Sequence, residues 1–297
     1  MVSEQEEAYY IRRSQGVGMV ITACVYVNEG GKGFHGEFGA DRDELLPSLR
    51  KLAEAIKGQG AKAILQIFHG GRQCPPVLLP DGQTVSASAV PAELPANTYL
   101  IQQFFSPHSN IRDDCWGGSL EKRLTFPLAV VDAVKHAVSE HADSSLLVGY
   151  RFSPEEPETP GITMAETFAL IDALKEKDLD YLHVSLQDFW ALPRRGTEDP
   201  RPRIEQILDR VAGKVPVIGV GSLYSADDAL KALETGIALV ALGRPLLIDP
   251  DWVQKVEQGN EEEIQTELDP SAQSDLVIPD PLWGALIHTP GWLPIKG

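Results

Sequence analysis

Short apolar, β-branched runs alternate with longer amphipathic stretches along most of the chain. The runs at 17–27 (VGMVITACVYV), 61–67 (AKAILQI), 145–152 (SLLVGYRF), 181–184, 215–220 (VPVIGV) and 237–242 read as buried strands. Between them, residues 41–59 place Leu45, Leu49, Leu52 and Ile56 close to helical spacing. Residues 120–138, 164–177, 203–212, 225–234 and 250–258 also read as helices. Thr163, with Glu166 three residues on, forms a capping-box signature at the start of the 164–177 helix. Residues 70–98 and 154–161 are rich in Pro and Gly, lack a helical period and read as loops. From Glu261 a polar stretch leads into PDPLWGALIHTPGWLP, which is expected to pack on the rest of a single domain spanning 1–297.

Repeated β-then-α units with apolar strands predict a parallel sheet covered on both faces. An open doubly wound sheet and a closed (β/α)8 TIM barrel both satisfy that pattern. No strand-to-helix turn carries GxGxxG, which weakens the dinucleotide-fold alternative. In a barrel, chemistry collects at the C-terminal strand ends. The polar residues at those ends are Gln66 and His69, Arg151, His183 and Gln187, Gly221 and Ser222, and Gly243 and Arg244.

Composition narrows the partners. The 297 residues carry a formal net charge of −17, which repels nucleic-acid backbones and anionic lipid. An anionic cofactor would therefore need its own local cations. Three widely spaced cysteines, Cys24, Cys74 and Cys115, argue against a disulfide framework or a Cys-type zinc site and fit a reducing compartment. The start, MVSEQEEAYY, has no apolar signal core, and no apolar run approaches membrane-spanning length, so the expected location is cytoplasmic and no metal is expected.

The clearest local chemistry lies in VIGVGSLYSADDA and LGRPLLIDPDW. Each puts glycine at a strand end just before a helix, and the second adds Arg244. Backbone N–H groups, helix N-termini and one guanidinium make an anion cradle at a common phosphate position of barrels; the same glycines would also serve plain tight turns. Gln66 offers a donor and an acceptor suited to a pyrimidine-like ring edge. Arg151 would hold a fixed cation in the barrel mouth, where a ring that becomes anionic on reduction is one suitable partner and a nearby carboxylate is the other.

Taken together, LQIFHGGR, ANTYLIQQFFSPHSNIRDDCWGGSLEKR, GYRFSP, IGVGSLYS and LGRPLLIDPDW resemble the Old Yellow Enzyme family, in family order from about residue 4 to the C-terminus. The narrower likeness is to bacterial NADH-dependent flavin oxidoreductases and ene-reductases. The resemblance implies FMN as cofactor, NADH or NADPH as reductant, and a small α,β-unsaturated carbonyl as acceptor. It assigns Gln66 and Arg151 to the flavin pyrimidine edge, Gly221, Ser222, Gly243 and Arg244 to the FMN phosphate, and Cys24 to the small position beside the flavin. Asn97 would bind the substrate carbonyl and Tyr99 would protonate the alkene while hydride passes from flavin N5. The likeness also leaves room for a homo-oligomer in which the Trp/Pro-rich end covers a neighbour.

Two departures stand out against that family. The helix that follows the family's first strand begins here at Val2, and ELP at 93–95 runs straight into ANTYL, where the family has a helix and a fourth strand. Leu94 stands where a histidine would precede Asn97 by three. Six strands are recognisable, so an incomplete barrel is expected, through a natural or constructed deletion, closed-up segments, or replacement by other segments. A working oxidoreductase and an impaired relative that keeps only phosphate or flavin-fragment binding both follow. A flavin-free sugar-phosphate lyase or isomerase would want a strand-end lysine, and none of the six strands ends in one.

Overall fold

A computed structural model describes residues 1–91, 99–143, 145–195 and 198–297. Its strands are β1 (Met19–Tyr26), β2 (Phe38–Gly39), β3 (Lys62–Phe68), β4 (Gly149–Phe152), β5 (Tyr181–Ser185), β6 (Val217–Val220) and β7 (Leu239–Ala241). The helices are α1 (Glu4–Arg13), α2 (Leu46–Lys57), α3 (Leu100–Phe105), α4 (Leu120–Arg123), α5 (Thr125–His141) and α6 (Met164–Lys175). They continue as α7 (Arg203–Val211), α8 (Ala226–Glu234), α9 (Arg244–Ile248), α10 (Trp252–Glu257) and α11 (Asp280–His288).

All six predicted strands are present. The addition is β2, two residues that pair with the end of β1 and are too short to show any hydrophobic period. The strands form two parallel sheets, ordered β2-β1-β3 and β4-β5-β6-β7, with no backbone ladder between them among the described residues. The expected 145–152 strand is ladder-bonded only from Gly149, because Leu146 and Leu147 lie upstream of any pairing and stand 54% and 44% exposed.

The larger sheet holds the main core. Leu182 and Val184 of β5 are fully buried among Ile162, Met164, Ile171 and Leu174 from α6 and its approach, and Ile204 and Ile207 from α7. The three-stranded sheet packs Val25 and Phe38 on Leu52 and Ile56 of α2 and on Tyr10 of α1. The tail forms a third cluster, Leu268, Leu276, Ile278, Leu286 and Leu293, against Ile248 of α9. It is stitched to α1 where Arg13 Nη2 donates to the Leu276 carbonyl at 2.8 Å. No helix among the described residues is long and apolar enough to cross a membrane.

Local signals explain where helices begin. The Thr163 hydroxyl accepts from the Glu166 N–H, and Glu166 reaches back to the Thr163 N–H at 2.9 Å, so the predicted capping box is formed. The same arrangement opens α8 through Ser225 and Asp228. Glu166 also pairs with the buried Arg123 at 2.5 Å, which ties α6 to α4. Replacing Thr163 by Ala is expected to destabilise the chain by about 1 kcal/mol through loss of the cap; urea unfolding of wild type and variant measures it.

Candidate active site

The two sheets meet through side chains at their C-terminal ends. Cys24 of β1 and Gln66 of β3 are direct partners in the parallel register. Gln66 Nε2 donates to Cys24 Sγ at 3.1 Å. Across the seam, Arg151 Nη1 of β4 donates to Gln66 Oε1 at 2.8 Å. Arg151 Nη2 donates to the Ser185 hydroxyl of β5 at 3.0 Å. Four side chains from four strands thus form one run, in the order Cys24, Gln66, Arg151, Ser185.

The period of two along each strand puts these residues on one face. Arg151 sits opposite His183 in the register, and Ser185 follows His183 by two. Ser185 was not among the residues singled out from sequence; its alternation with His183 on a strand neighbouring Arg151 is the signal that points to it.

Burial sets the charge state of this mouth. It lowers the pKa of Arg151, while Cys24 and Tyr99 act to raise it. Burial pushes the Cys24 thiol up to about 11, with Glu37 adding to the rise and Gln66 and Arg151 opposing it. His183, only 4% exposed, is pushed down to about 3 by burial and by Arg151, so it is neutral. Its Nε2 has no hydrogen-bond partner among the described residues. No ion pair to Arg151 forms among the described residues, so the carboxylate partner left open by the sequence is not what holds it.

Tyr99 caps α3, whose first N–H, from Leu100, donates to the His69 carbonyl just past β3 at 3.0 Å. That bond delivers the phenol to the same mouth. Its ring meets Phe68 edge-on, with centroids 4.5 Å apart, and lies 6.5 Å from Phe34. Burial first, then Cys24 and Glu37, push the Tyr99 hydroxyl up to about 12, against the pull of Arg151. Asn97 and Leu94 lie outside the described residues. His69 has a local role, since its Nδ1 accepts from the Gly71 N–H at 3.1 Å and its ring packs on Gly31.

At the ends of β6 and β7 lie the residues expected to form an anion cradle. Arg244 Nη1 reaches the Ser222 hydroxyl at 3.4 Å, and no carboxylate pairs with that guanidinium among the described residues. Gly221, at φ +146°, has a backbone reason to be glycine, because a Cβ there would come within 2.6 Å of the Phe189 nitrogen. Gly243 has no such reason, since φ is −109° and nothing lies within 4 Å of an added Cβ. An open glycine, an exposed hydroxyl and an unpaired Arg in a strongly acidic chain fit a phosphate that approaches the backbone closely. The run from Gln66 to Arg151 likewise fits a ring with donor and acceptor edges that gains negative charge. The residues present therefore suit FMN.

Glu37 was missed by sequence reading. Its Oε2 accepts from the Gly33 N–H at 2.7 Å and the Phe34 N–H at 3.2 Å, while Oε1 is buried without a partner. Burial raises it to about 7, with those two amides opposing the rise. It shapes the turn that carries Phe34 against Tyr99.

Comparison with known proteins gives the family and the fold. The profile of the NADH:flavin oxidoreductase / NADH oxidase family matches residues 1–94 and 94–263. The probable NADH-dependent flavin oxidoreductase YqiG of Bacillus subtilis (strain 168) is 47% identical over 332 aligned residues, covering 99% of this chain and 89% of YqiG. NADH:fumarate oxidoreductase of Klebsiella pneumoniae (strain 342) is 38% identical over 95% of this chain, which spans only 35% of that longer protein. Morphinone reductase superposes with a TM-score of 0.74 at 23% identity, covering 93% of this chain and 84% of the other, and establishes the barrel-type fold.

Glu37 generates a pH prediction. Its carboxyl titrates near 4.5 when unfolded and near 7 when folded, so its protonated form favours the fold. That contribution is full below about pH 4.5 and is lost as pH rises through 7. Glu37→Gln is expected to shrink the fall in Tm between pH 5 and pH 8, as thermal melts at the two values test.

Proposed function

The chain belongs to the NADH:flavin oxidoreductase / NADH oxidase family, the Old Yellow Enzyme group, and from that premise we propose that it reduces activated alkenes conjugated to a carbonyl. Bound FMN supplies the hydride, replenished by NADH. The observation that carries this reading is the Cys24–Gln66–Arg151–Ser185 run together with the Tyr99 phenol, whose titration feels Cys24 and Arg151.

Each residue then has a physical task. Arg244, Ser222 and the open backbone at Gly243 hold the phosphate. Gln66 offers an amide to the ring edge, and Arg151 supplies a fixed positive charge where negative charge grows. Among the described residues no carboxylate pairs with it, which keeps that charge available to a ligand. Cys24, held as a neutral thiol, adds bulk without charge beside the ring. Tyr99 gives its proton to the alkene carbon that does not receive hydride. Asn97, two residues earlier, is assigned the carbonyl oxygen. With Leu94 in the preceding polar position, that oxygen has one donor fewer, so acceptors already activated by a second electron-withdrawing group suit this site best.

A second reading is favoured by the open flank of β3, where Leu65 and Ile67 stand 43% and 48% exposed. In it the chain holds flavin weakly and turns over poorly. Titration with FMN, followed by flavin fluorescence, separates the two. Saturable binding near one equivalent supports the enzyme reading, and no binding at saturating FMN removes it.

Two variants test the assignments. Tyr99→Phe is expected to slow alkene reduction by about a hundredfold or more, with flavin reduction by NADH unchanged; stopped-flow measurement of the two half-reactions checks it. Arg244→Ala is expected to weaken FMN binding by about tenfold or more through loss of a charged phosphate contact, with little effect on the binding of riboflavin, which lacks the phosphate.

A further inference from the structure

Glu156 is a buried carboxylate to which the proposed chemistry gives no task. It lies on the loop that follows β4 and Arg151, and it is 2% exposed. No cation pairs with it among the described residues, whereas its neighbour Glu155 faces the Arg203 guanidinium at 3.6 Å. A carboxylate buried in that way is costly unless donors surround it. Here Oε1 accepts from Gln102 Nε2 at 3.0 Å. Oε2 accepts from the Ser106 hydroxyl at 2.5 Å and from the Ile162 N–H at 3.1 Å. The Ser106 oxygen in turn accepts from the His108 N–H at 3.1 Å, so its own proton is directed at Glu156.

These bonds join the element that carries Arg151 to the helix that carries Tyr99. Gln102 and Ser106, at a spacing of four, share one face of α3 and its C-cap, and Tyr99 is the N-cap of the same helix. The carboxylate is a fixed point, because the Glu156 N–H donates to the Ile162 carbonyl at 3.1 Å and its carbonyl accepts from Arg195 Nη2 at 2.9 Å. On the β3 side α3 is held through the His69 carbonyl and through Gln103, whose Nε2 donates to the Gly70 carbonyl at 3.2 Å and whose Oε1 accepts from the Arg72 N–H at 3.1 Å. Phe105 and Ile101 pack into the main core. Apolar contact is non-directional and holds the helix without fixing its rotation. The hydrogen bonds to Glu156 are directional and fix it on the β4 side.

We propose that Glu156 is a positioning residue: by clamping Gln102 and Ser106 it sets the rotation of α3, and with it the place of the Tyr99 phenol relative to Arg151. Proton and hydride must arrive at neighbouring carbons of one substrate, and a misplacement of about 1 Å slows such a transfer by about a hundredfold. The effect on turnover rests on the flavin reading, while the placement of Tyr99 does not.

Three variants test the clamp. Glu156→Ala removes both acceptor oxygens. Gln102→Ala combined with Ser106→Ala cuts the same tie and leaves Glu156 on Ile162, so it serves where the first variant does not fold. Glu156→Gln is the conservative control, since its carbonyl can serve Ser106 and Ile162 while Gln102 turns its amide oxygen to the new amide. Fluorine NMR of the flavin-free chain labelled with fluorotyrosine reads the placement, with the Tyr99 signal assigned by its loss in Tyr99→Phe. That signal is expected to shift in both clamp-cutting variants and to keep its wild-type position in Glu156→Gln, with the other tyrosine signals unmoved. With FMN bound, Glu156→Ala is expected to slow reduction of cyclohexenone by about tenfold or more, with flavin reduction by NADH and FMN affinity unchanged. In the Tyr99→Phe background it is expected to add nothing, because both changes remove one proton transfer. An unmoved Tyr99 signal, equal slowing of both half-reactions, or a loss that multiplies that of Tyr99→Phe overturns the proposal. A shifted signal in a chain that binds no FMN upholds the clamp and removes the flavin reading; FMN-dependent alkene reduction with an unmoved signal does the reverse.

Discussion

Parallel strands make two demands, that both faces be covered and both edges paired. Where this chain meets them, in β5 and β6 at the centre of the larger sheet, burial is nearly complete and the register carries Arg151, His183 and Ser185 in fixed relation. Where it does not, at the facing edges of β3 and β4, the sheets are joined by the Gln66–Arg151 hydrogen bond in place of a backbone ladder. A single charge-assisted bond contributes about 1.5–3 kcal/mol at most. A ladder shares its load over several bonds and also excludes water. At the seam itself the proposed flavin-edge residues are linked by a side-chain contact that the ligand would have to replace, while α3 ties the two sheets together beyond it through the His69 carbonyl and Glu156.

Charge placement follows a related logic. At −17 the chain repels anions at long range, and many of its arginines are tied to carboxylates, as in Arg12–Asp251, Arg201–Asp199 and Arg210–Asp172. Arg151 and Arg244 are tied to neutral groups instead. Leaving a cation without a carboxylate in an acidic protein forgoes attraction that many folded alternatives would offer. The strand ends present Ser185, Gln66 and Ser222, and among the described residues no acidic side chain, to these two guanidiniums.

What the sequence made legible, and what it hid, divides along physical lines. The six longer strands, the Thr163 box and the tight turn at Gly221 were readable because each signal is local: a period, a cap, a turn. Ser185 and Glu37 were not, since their roles depend on register and burial that arise only when β4 meets β5 and when the 31–37 turn folds under Phe34. The strand start at 145–147 was overread for the converse reason. Its apolar residues satisfy the strand pattern, but a strand is defined by its neighbour, and here none pairs with it. Asn97 stands on family likeness alone, as it lies outside the described residues.

Desolvation around the mouth decides its protonation chemistry. Cys24 near 11, Tyr99 near 12 and His183 near 3 are all moved chiefly by desolvation, each toward its neutral form. Among the groups of the mouth that leaves Arg151 charged, and Tyr99 as the phenolic proton store. A histidine able to protonate would compete with Tyr99 for the donor role and would add a second positive charge beside Arg151. With His183 held neutral, the proposed roles of proton donation and charge stabilisation fall to different elements, Tyr99 at the cap of α3 and Arg151 on β4. That separation is what a reaction needs when hydride and proton arrive at opposite ends of one double bond.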